Sequence, residues 1–113
     1  EVICEVWKFR TPDIARQSAS KIYTLYTEYR SEKDFVGMDM CRKFLEMGFT
    51  RARRYANHSS GRKYDPEGNV RPQEEDWNTS DKAISARIFQ QMRNEVTSDK
   101  IYVDMREAWR AQE

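Results

Sequence analysis

A run of basic residues between positions 42 and 63 is the part of the sequence best suited to chemistry. It contains seven arginines and lysines and one acid, Glu46, so its net charge is +6, whereas the whole chain of 113 residues carries +1. Arginine suits phosphate because its planar guanidinium donates two parallel hydrogen bonds. This segregation of charge predicts an anion-binding site within the run.

The spacing of these residues predicts a helix followed by a basic loop. Arg51 and Arg54 are three residues apart and would share one helix face, and Asn57 and His58 would continue that face. Cations beside tyrosines that can stack on bases are typical of nucleic-acid-binding proteins. We therefore expect a small protein that binds DNA or RNA with low sequence specificity. The expected contact residues are Arg42, Lys43, Arg51, Arg53, Arg54, Tyr55, Asn57, His58, Arg62, Lys63 and Tyr64.

Two other interpretations of the basic run remain open. The acidic loop that follows it contains Asp65, Glu74 and Glu75, which would fold back onto the arginines and neutralise them. Alternatively, the basic helix and the acidic loop would complement each other between chains, either in a homo-oligomer or with another protein partner, with no catalytic activity.

A catalytic role is the third interpretation, and it depends on His58, the single histidine of the chain. A nuclease would use His58 as general base while Arg51 and Arg54 steady the phosphate. The sequence shows no cluster of carboxylates for a metal and no phosphate-loop or dinucleotide motif. We therefore expect no metal and no cofactor, and binding is favoured over catalysis.

The two cysteines, Cys4 and Cys41, are too few for a disulfide scaffold or a structural zinc site. Cys41 lies on an apolar stripe with Met38, Phe44 and Leu45, so we expect a core thiol rather than a nucleophile. Reduced thiols favour the cytoplasm. No apolar run approaches the roughly 20 residues of a membrane helix, so no membrane association is expected.

Apolar periodicity predicts a helix over about 12–31. Thr11 suits its N-cap and Pro12 its first position, and a stripe at helical spacing would form its buried face. The stripe comprises Ala15, Ala19, Ile22, Tyr26 and Tyr29. Before this helix, residues 1–9 are β-branched and aromatic on both faces, so we expect an extended N-terminal arm.

A second helix is expected to end at Gly48, which can adopt the left-handed conformation after a helix. Thr50 would then cap a short third helix ending near Asn57, with Ala52, Tyr55 and Ala56 facing inward. Residues 59–79 lack periodicity and contain glycines and prolines, which predicts a long loop anchored by Trp77.

Two helices are predicted after this loop. Thr79 or Ser80 would cap the first, which aligns Ile84, Ile88, Met92 and Val96. Ser98 would cap the second, which aligns Ile101, Tyr102, Met105, Ala108 and Trp109. The fold class is therefore all-α: a single domain over 1–113, a compact bundle of four to five helices. Because the chain starts at Glu1 rather than Met, we expect it to be a truncated product or part of a longer one.

Three stretches resemble one family and together span nearly the whole chain: WKFRTPDIA, DFVGMDMCRKFLEMGFTRARRYANHSSGRKYD and SARIF. The family is an uncharacterised domain of unknown function found in bacteria and in tailed phages, including cyanophages. Its members have a further N-terminal region, and they carry Lys-Gly where this chain has Ser59 and Ser60, and Ala in place of Cys41. The resemblance implies a phage or bacterial cytoplasm and no known activity.

Overall fold

The computed structural model describes residues 2–112, and within them it contains five helices and no strand. The helices are α1 (Val2–Val6), α2 (Pro12–Ser31), α3 (Phe35–Asn57), α4 (Asp81–Thr97) and α5 (Lys100–Arg110). The predicted all-α class is confirmed. Helices α2, α3 and α4 pack against one another around a core that includes Ile22, Tyr26, Leu45 and Phe89.

The predicted N-cap, first residue and buried stripe of α2 are confirmed. The Thr11 hydroxyl accepts a hydrogen bond from the Ile14 amide at 3.2 Å, and Pro12 occupies the first position of the helix. Ala15, Ala19, Ile22 and Tyr26 are buried as the stripe predicted, and Tyr29 is half-buried.

The prediction of an extended N-terminal arm over residues 1–9 is wrong for Val2–Val6, while residues 7–9 belong to no helix and Glu1 lies outside the described residues. Residues Val2–Val6 form the short helix α1, and Ile3 is buried. Ser18 of α2 holds the end of α1 and the segment that follows it, because the Ser18 hydroxyl donates to the Val6 carbonyl at 2.7 Å and accepts from the Lys8 amide at 2.8 Å. These tertiary contacts outweigh the β-propensity of the segment.

The prediction that Gly48 ends a helix is also wrong. α3 is continuous from Phe35 to Asn57, and Gly48 is buried in its middle. A Cβ atom at Gly48 would lie 2.7 Å from the Phe89 ring of α4. The glycine therefore serves close packing between α3 and α4. Thr50 does not cap a helix; its hydroxyl donates to the Glu46 carbonyl within α3.

The loop prediction over 59–79 is confirmed, since no helix lies between Asn57 and Asp81 and the segment contains an isolated antiparallel bridge between Tyr64 and Val70. The anchoring role predicted for the Trp77 ring is wrong, because this side chain is 41% exposed. Trp77 instead contributes its backbone carbonyl, which accepts a hydrogen bond from Arg53 at 2.7 Å.

The starts of α4 and α5 are set by hydrogen-bonding caps. Ser80 caps α4 as predicted, and its hydroxyl accepts from the Ala83 amide. The cap of α5 is Asp99 rather than Ser98, because the Asp99 carboxylate accepts from the Ile101 amide at 3.0 Å. The predicted buried faces are only partly correct. On α4, Val96 is buried but the main buried side chains are Ala83, Ala86 and Phe89; on α5, Tyr102 is buried while Ile101, Ala108 and Trp109 are exposed.

Candidate anion-binding cleft

The basic run does not form one continuous surface. Arg42 and Arg51 are nine residues apart on α3, which corresponds to two and a half helical turns, so they lie on opposite sides of the helix. Lys43 and Arg54 are eleven residues apart, about three full turns, and lie on the same side. Arg51 and Arg54 therefore belong to one site and Arg42 to another.

Arg51 and Arg54 line a cleft of about 520 Å³ at the C-terminal part of α3. Four separate stretches of the chain meet there: the segment between α1 and α2, the end of α3, the loop after it and the first turn of α4. The lining residues are Phe9, Arg10, Arg51, Arg54, Tyr55, Gly61 and Lys82. Four of these seven are cations and none is an acid.

The four cations of the cleft have no acidic partner among the described residues. No ion pair within 4.0 Å involves Arg10, Arg51, Arg54 or Lys82. Four positive charges that share one lining without a carboxylate produce a positive potential, and a cleft focuses that potential on an approaching anion.

Neutral groups orient two of these cations. The Lys82 ammonium donates to the Arg10 carbonyl at 3.1 Å, and it lies 5.8 Å from the centre of the Phe9 ring and 5.9 Å from that of Tyr55. The Arg51 guanidinium lies 5.3 Å from the Trp7 ring. Aromatic faces attract cations without neutralising their charge, so the positive potential of the cleft is retained.

Gly61 closes one side of the cleft. Its φ of +73° is in the left-handed region, and a Cβ atom there would lie 2.6 Å from the Tyr55 ring. Its amide donates to the His58 carbonyl at 2.7 Å. The loop backbone thus packs directly on Tyr55, whose side chain is 43% exposed and forms a wall of the cleft.

Two of the three loop acids that were predicted to pair with the arginines, Asp65 and Glu74, make other contacts in the described part of the chain. The Asp65 carboxylate accepts from the Glu67 and Asn69 amides and so stabilises its own turn. Glu74 accepts from the Ser59 amide at 3.2 Å. In residues 2–112, no ion pair joins Asp65, Glu74 or Glu75 to the basic run, which disfavours the intramolecular interpretation.

The acid within the run, Glu46, is also engaged away from the cleft. Its carboxylate accepts from Arg93 of α4 at 2.6 Å. This pair joins α3 to α4, so the charge of Glu46 is balanced by a residue outside the run.

Three of the predicted contact residues instead hold the long loop against α3. Arg53 donates to the Trp77 carbonyl, and burial, with a smaller contribution from the charge of Arg87, lowers its pKa. The Asn57 carbonyl accepts from the Glu74 amide at 2.7 Å. The His58 Nδ1 atom lies 3.3 Å from the Pro72 carbonyl oxygen, and since a carbonyl only accepts, this contact assigns the proton to Nδ1.

The remaining predicted contact residues do not line the first cleft. Arg62, Lys63 and Tyr64 are exposed on the loop beyond Gly61, and the Lys63 ammonium lies 5.6 Å from the Tyr64 ring. Lys43 is exposed on α3. Arg42 lines a separate cleft between α3 and α5.

A family model described as "Domain of unknown function (DUF4385)" matches residues 1–112. The chain belongs to this family. No curated protein and no solved structure matches it.

The lining of the cleft in this DUF4385 protein consists of cations, two aromatic residues and a glycine, and it includes no histidine, cysteine or carboxylate. Across residues 2–112, no three His, Cys, Asp or Glu side chains are grouped to hold a metal ion. Within the same part of the chain, no helix combines the length and the apolar character needed to span a membrane.

Sequence reasoning missed two of the four cleft cations. Arg10 and Lys82 are 72 residues apart in the chain and neither lies in the basic run. Arg10 is part of the FRTP stretch before α2, and Lys82 is in the first turn of α4. Only the packing of these helices brings the two residues to Arg51 and Arg54, so no local pattern reveals them.

Proposed function

We propose that this DUF4385 protein binds the phosphate backbone of nucleic acid in the cleft formed by Arg10, Arg51, Arg54 and Lys82. The observation that carries the proposal is the convergence of four cations without any carboxylate. Folding brings like charges together at a cost in free energy, and an anionic ligand recovers that cost. Guanidinium groups suit phosphate because they bind two of its oxygens at once.

The surface around the cleft favours a polymer over a single small anion. Arg62 and Lys63 extend the positive charge along the loop beyond Gly61, and Lys43 extends it along the same side of α3. Tyr64 is 54% exposed and supplies a ring for stacking on an unpaired base. The ring of Tyr55 packs on Gly61 and near Lys82, so it shapes the cleft rather than receiving a base.

Contacts of this kind read the backbone and not the base edges, so we expect low sequence specificity. Single-stranded nucleic acid is the preferred ligand because an exposed tyrosine reaches bases only where they are unpaired. We place this activity in the cytoplasm, of a host cell if the gene is carried by a phage. A chain with two cysteines, too few for a disulfide scaffold, agrees with a reducing compartment.

Fluorescence anisotropy with labelled single-stranded DNA, duplex DNA and RNA tests this proposal. Binding at low salt that weakens steeply with added salt is the expected result, because bound cations release counterions from the phosphates. Absence of binding to all three ligands at 50 mM salt would refute it. Light scattering on the same sample checks the alternative of a homo-oligomer, in which a second copy would offer its acidic loop to the cleft.

A further inference from the structure

A second cleft, of about 370 Å³, lies between the N-terminal half of α3 and α5. Three arginines line it, and three aromatic rings line it with them. The arginines are Arg42, Arg106 and Arg110, and the rings are Phe35, Tyr102 and Trp109. It shares no residue with the first cleft, and its volume is within the range of small-molecule sites.

Asp39 orients Arg42, one of the three arginines, and balances a single positive charge. Its Oδ1 atom accepts from the Arg42 Nε atom at 3.0 Å and from the Tyr102 hydroxyl at 2.7 Å, and its Oδ2 atom accepts from Arg42 Nη2 at 3.2 Å. A guanidinium has five N–H groups, so Arg42 retains three for another acceptor. One carboxylate against three arginines leaves a net charge of +2 in the lining.

Arg106 carries a buried hydrogen-bond donor that lacks an acceptor among the described residues. Its guanidinium lies 5.7 Å from the Tyr102 ring, and its Nε atom is buried with no hydrogen-bond partner among the described residues. A buried donor without an acceptor is unusual in a folded protein. A small movement of the side chain towards an anion in the cleft would give this group its acceptor. Arg110, in the last turn of α5, is exposed.

The aromatic rings form a column along the wall of the cleft. The centres of Tyr102 and Phe35 are 5.8 Å apart with 30° between the ring planes, and those of Phe35 and Trp109 are 5.6 Å apart with 35° between the planes. Trp109 ends the column and is 44% exposed. A flat ring from a ligand would extend the column by stacking on the indole.

We propose that this second cleft binds a nucleotide, with its phosphate at Arg106 and Arg110 and its base stacked on Trp109. Arginines beside an exposed indole match the two ends of a nucleotide, which are a dianion and a flat π-system. The ligand is either a free mononucleotide or one unpaired nucleotide of a strand. This site does not depend on the function proposed for the first cleft, since the two lie on different sides of α3.

Tryptophan fluorescence tests the second site. We expect a nucleoside monophosphate to quench the emission of the full chain and Trp109→Phe to abolish the quenching. The double substitution Arg106→Gln and Arg110→Gln keeps the length and polarity of both side chains but removes their charge, and should weaken binding at least tenfold. The matched control is the double substitution Arg16→Gln and Lys21→Gln, two exposed positions of α2 that line neither cleft, and it should leave the affinity unchanged. The source of the nucleotide is tested in the Arg51→Ala, Arg54→Ala background, because a strand bound in the first cleft would also lie near Trp7. In that background, a short single-stranded oligonucleotide that quenches more tightly than the mononucleotide identifies the strand as the source.

Three results would overturn the assignment. They are quenching that persists in Trp109→Phe, an affinity that is unchanged in the double variant, and inorganic phosphate that competes as tightly as the nucleotide. Circular dichroism confirms that each variant folds. If the double variant is unfolded, Arg110→Gln alone decides the matter, because this exposed residue lies in the last turn of its helix and its loss of charge should still weaken binding.

Discussion

Removing two of the four cations from the first cleft should halve the contribution of this cleft to the salt dependence of nucleic-acid binding. Each phosphate contact on a single strand contributes about −0.7 to the slope of log affinity against log salt. Arg10, Arg51, Arg54 and Lys82 therefore contribute about −2.8 to the slope, and the double substitution Arg51→Ala and Arg54→Ala makes the slope less steep by about 1.4. Between 50 and 200 mM salt, the variant should therefore lose about 7-fold less affinity than the wild type.

The assay is fluorescence anisotropy of a labelled single-stranded oligonucleotide across that salt range. The matched control removes the same charge elsewhere: Arg16→Ala with Lys21→Ala, both exposed on α2 and neither in the cleft. Arg16 makes only a surface ion pair with Asp13, so its loss should cost little stability. A slope that stays near the wild-type value in the cleft variant, or that falls equally in the control, would refute the reasoning.

Two further predictions concern the fold that positions the site. Gly48→Ala places a methyl group against the Phe89 ring, and overpacking of this kind costs about 1–3 kcal/mol, seen as a lower midpoint of thermal or urea unfolding; an unchanged midpoint would contradict the tight helix contact. Burial favours the neutral form of Asp99, but hydrogen bonds from Tyr26 and Arg30 outweigh it and lower the pKa of this carboxyl from its ordinary 3.8. The ionised Asp99 therefore stabilises the fold above pH 3.8, and this contribution is lost as the pH falls through the lowered pKa. Asp99→Asn should flatten the acid limb of the stability profile, and an identical acid limb would show that this carboxylate does not contribute.

The helix starts that sequence could predict are those set by adjacent residues. Thr11 and Ser80 each bond to an amide three positions later, so the signal and its structural consequence lie within one turn. Gly48 could not be interpreted in this way. A glycine after a helix and a glycine inside one look alike until the partner is known, and the partner here, Phe89, belongs to another helix.

Dependence on residues distant in the sequence also limited which residues of the first cleft could be predicted. The basic run identified Arg51 and Arg54, because both positions and their spacing are local. Arg53, the neighbour of Arg54, is turned by about 100° on the helix and donates to the Trp77 carbonyl instead. Arg10 and Lys82 reach the cleft only through the packing of α2, α3 and α4, which no local pattern encodes.

The continuity of α3 links the fold to the proposed function. Had Gly48 ended a helix, Arg51 and Arg54 would stand on a short separate segment whose orientation depends on a flexible joint. Instead they lie on the continuous helix α3, whose middle packs against Phe89 at Gly48. In the same arrangement of α3 and α4, the Lys82 ammonium lies 5.9 Å from the centre of the Tyr55 ring. The close packing at Gly48 holds α3 against α4, and these two helices carry Arg51, Arg54 and Lys82. Backbone positions that are fixed before a ligand arrives lose little conformational freedom on binding, so the proposed cleft depends on this contact between the helices.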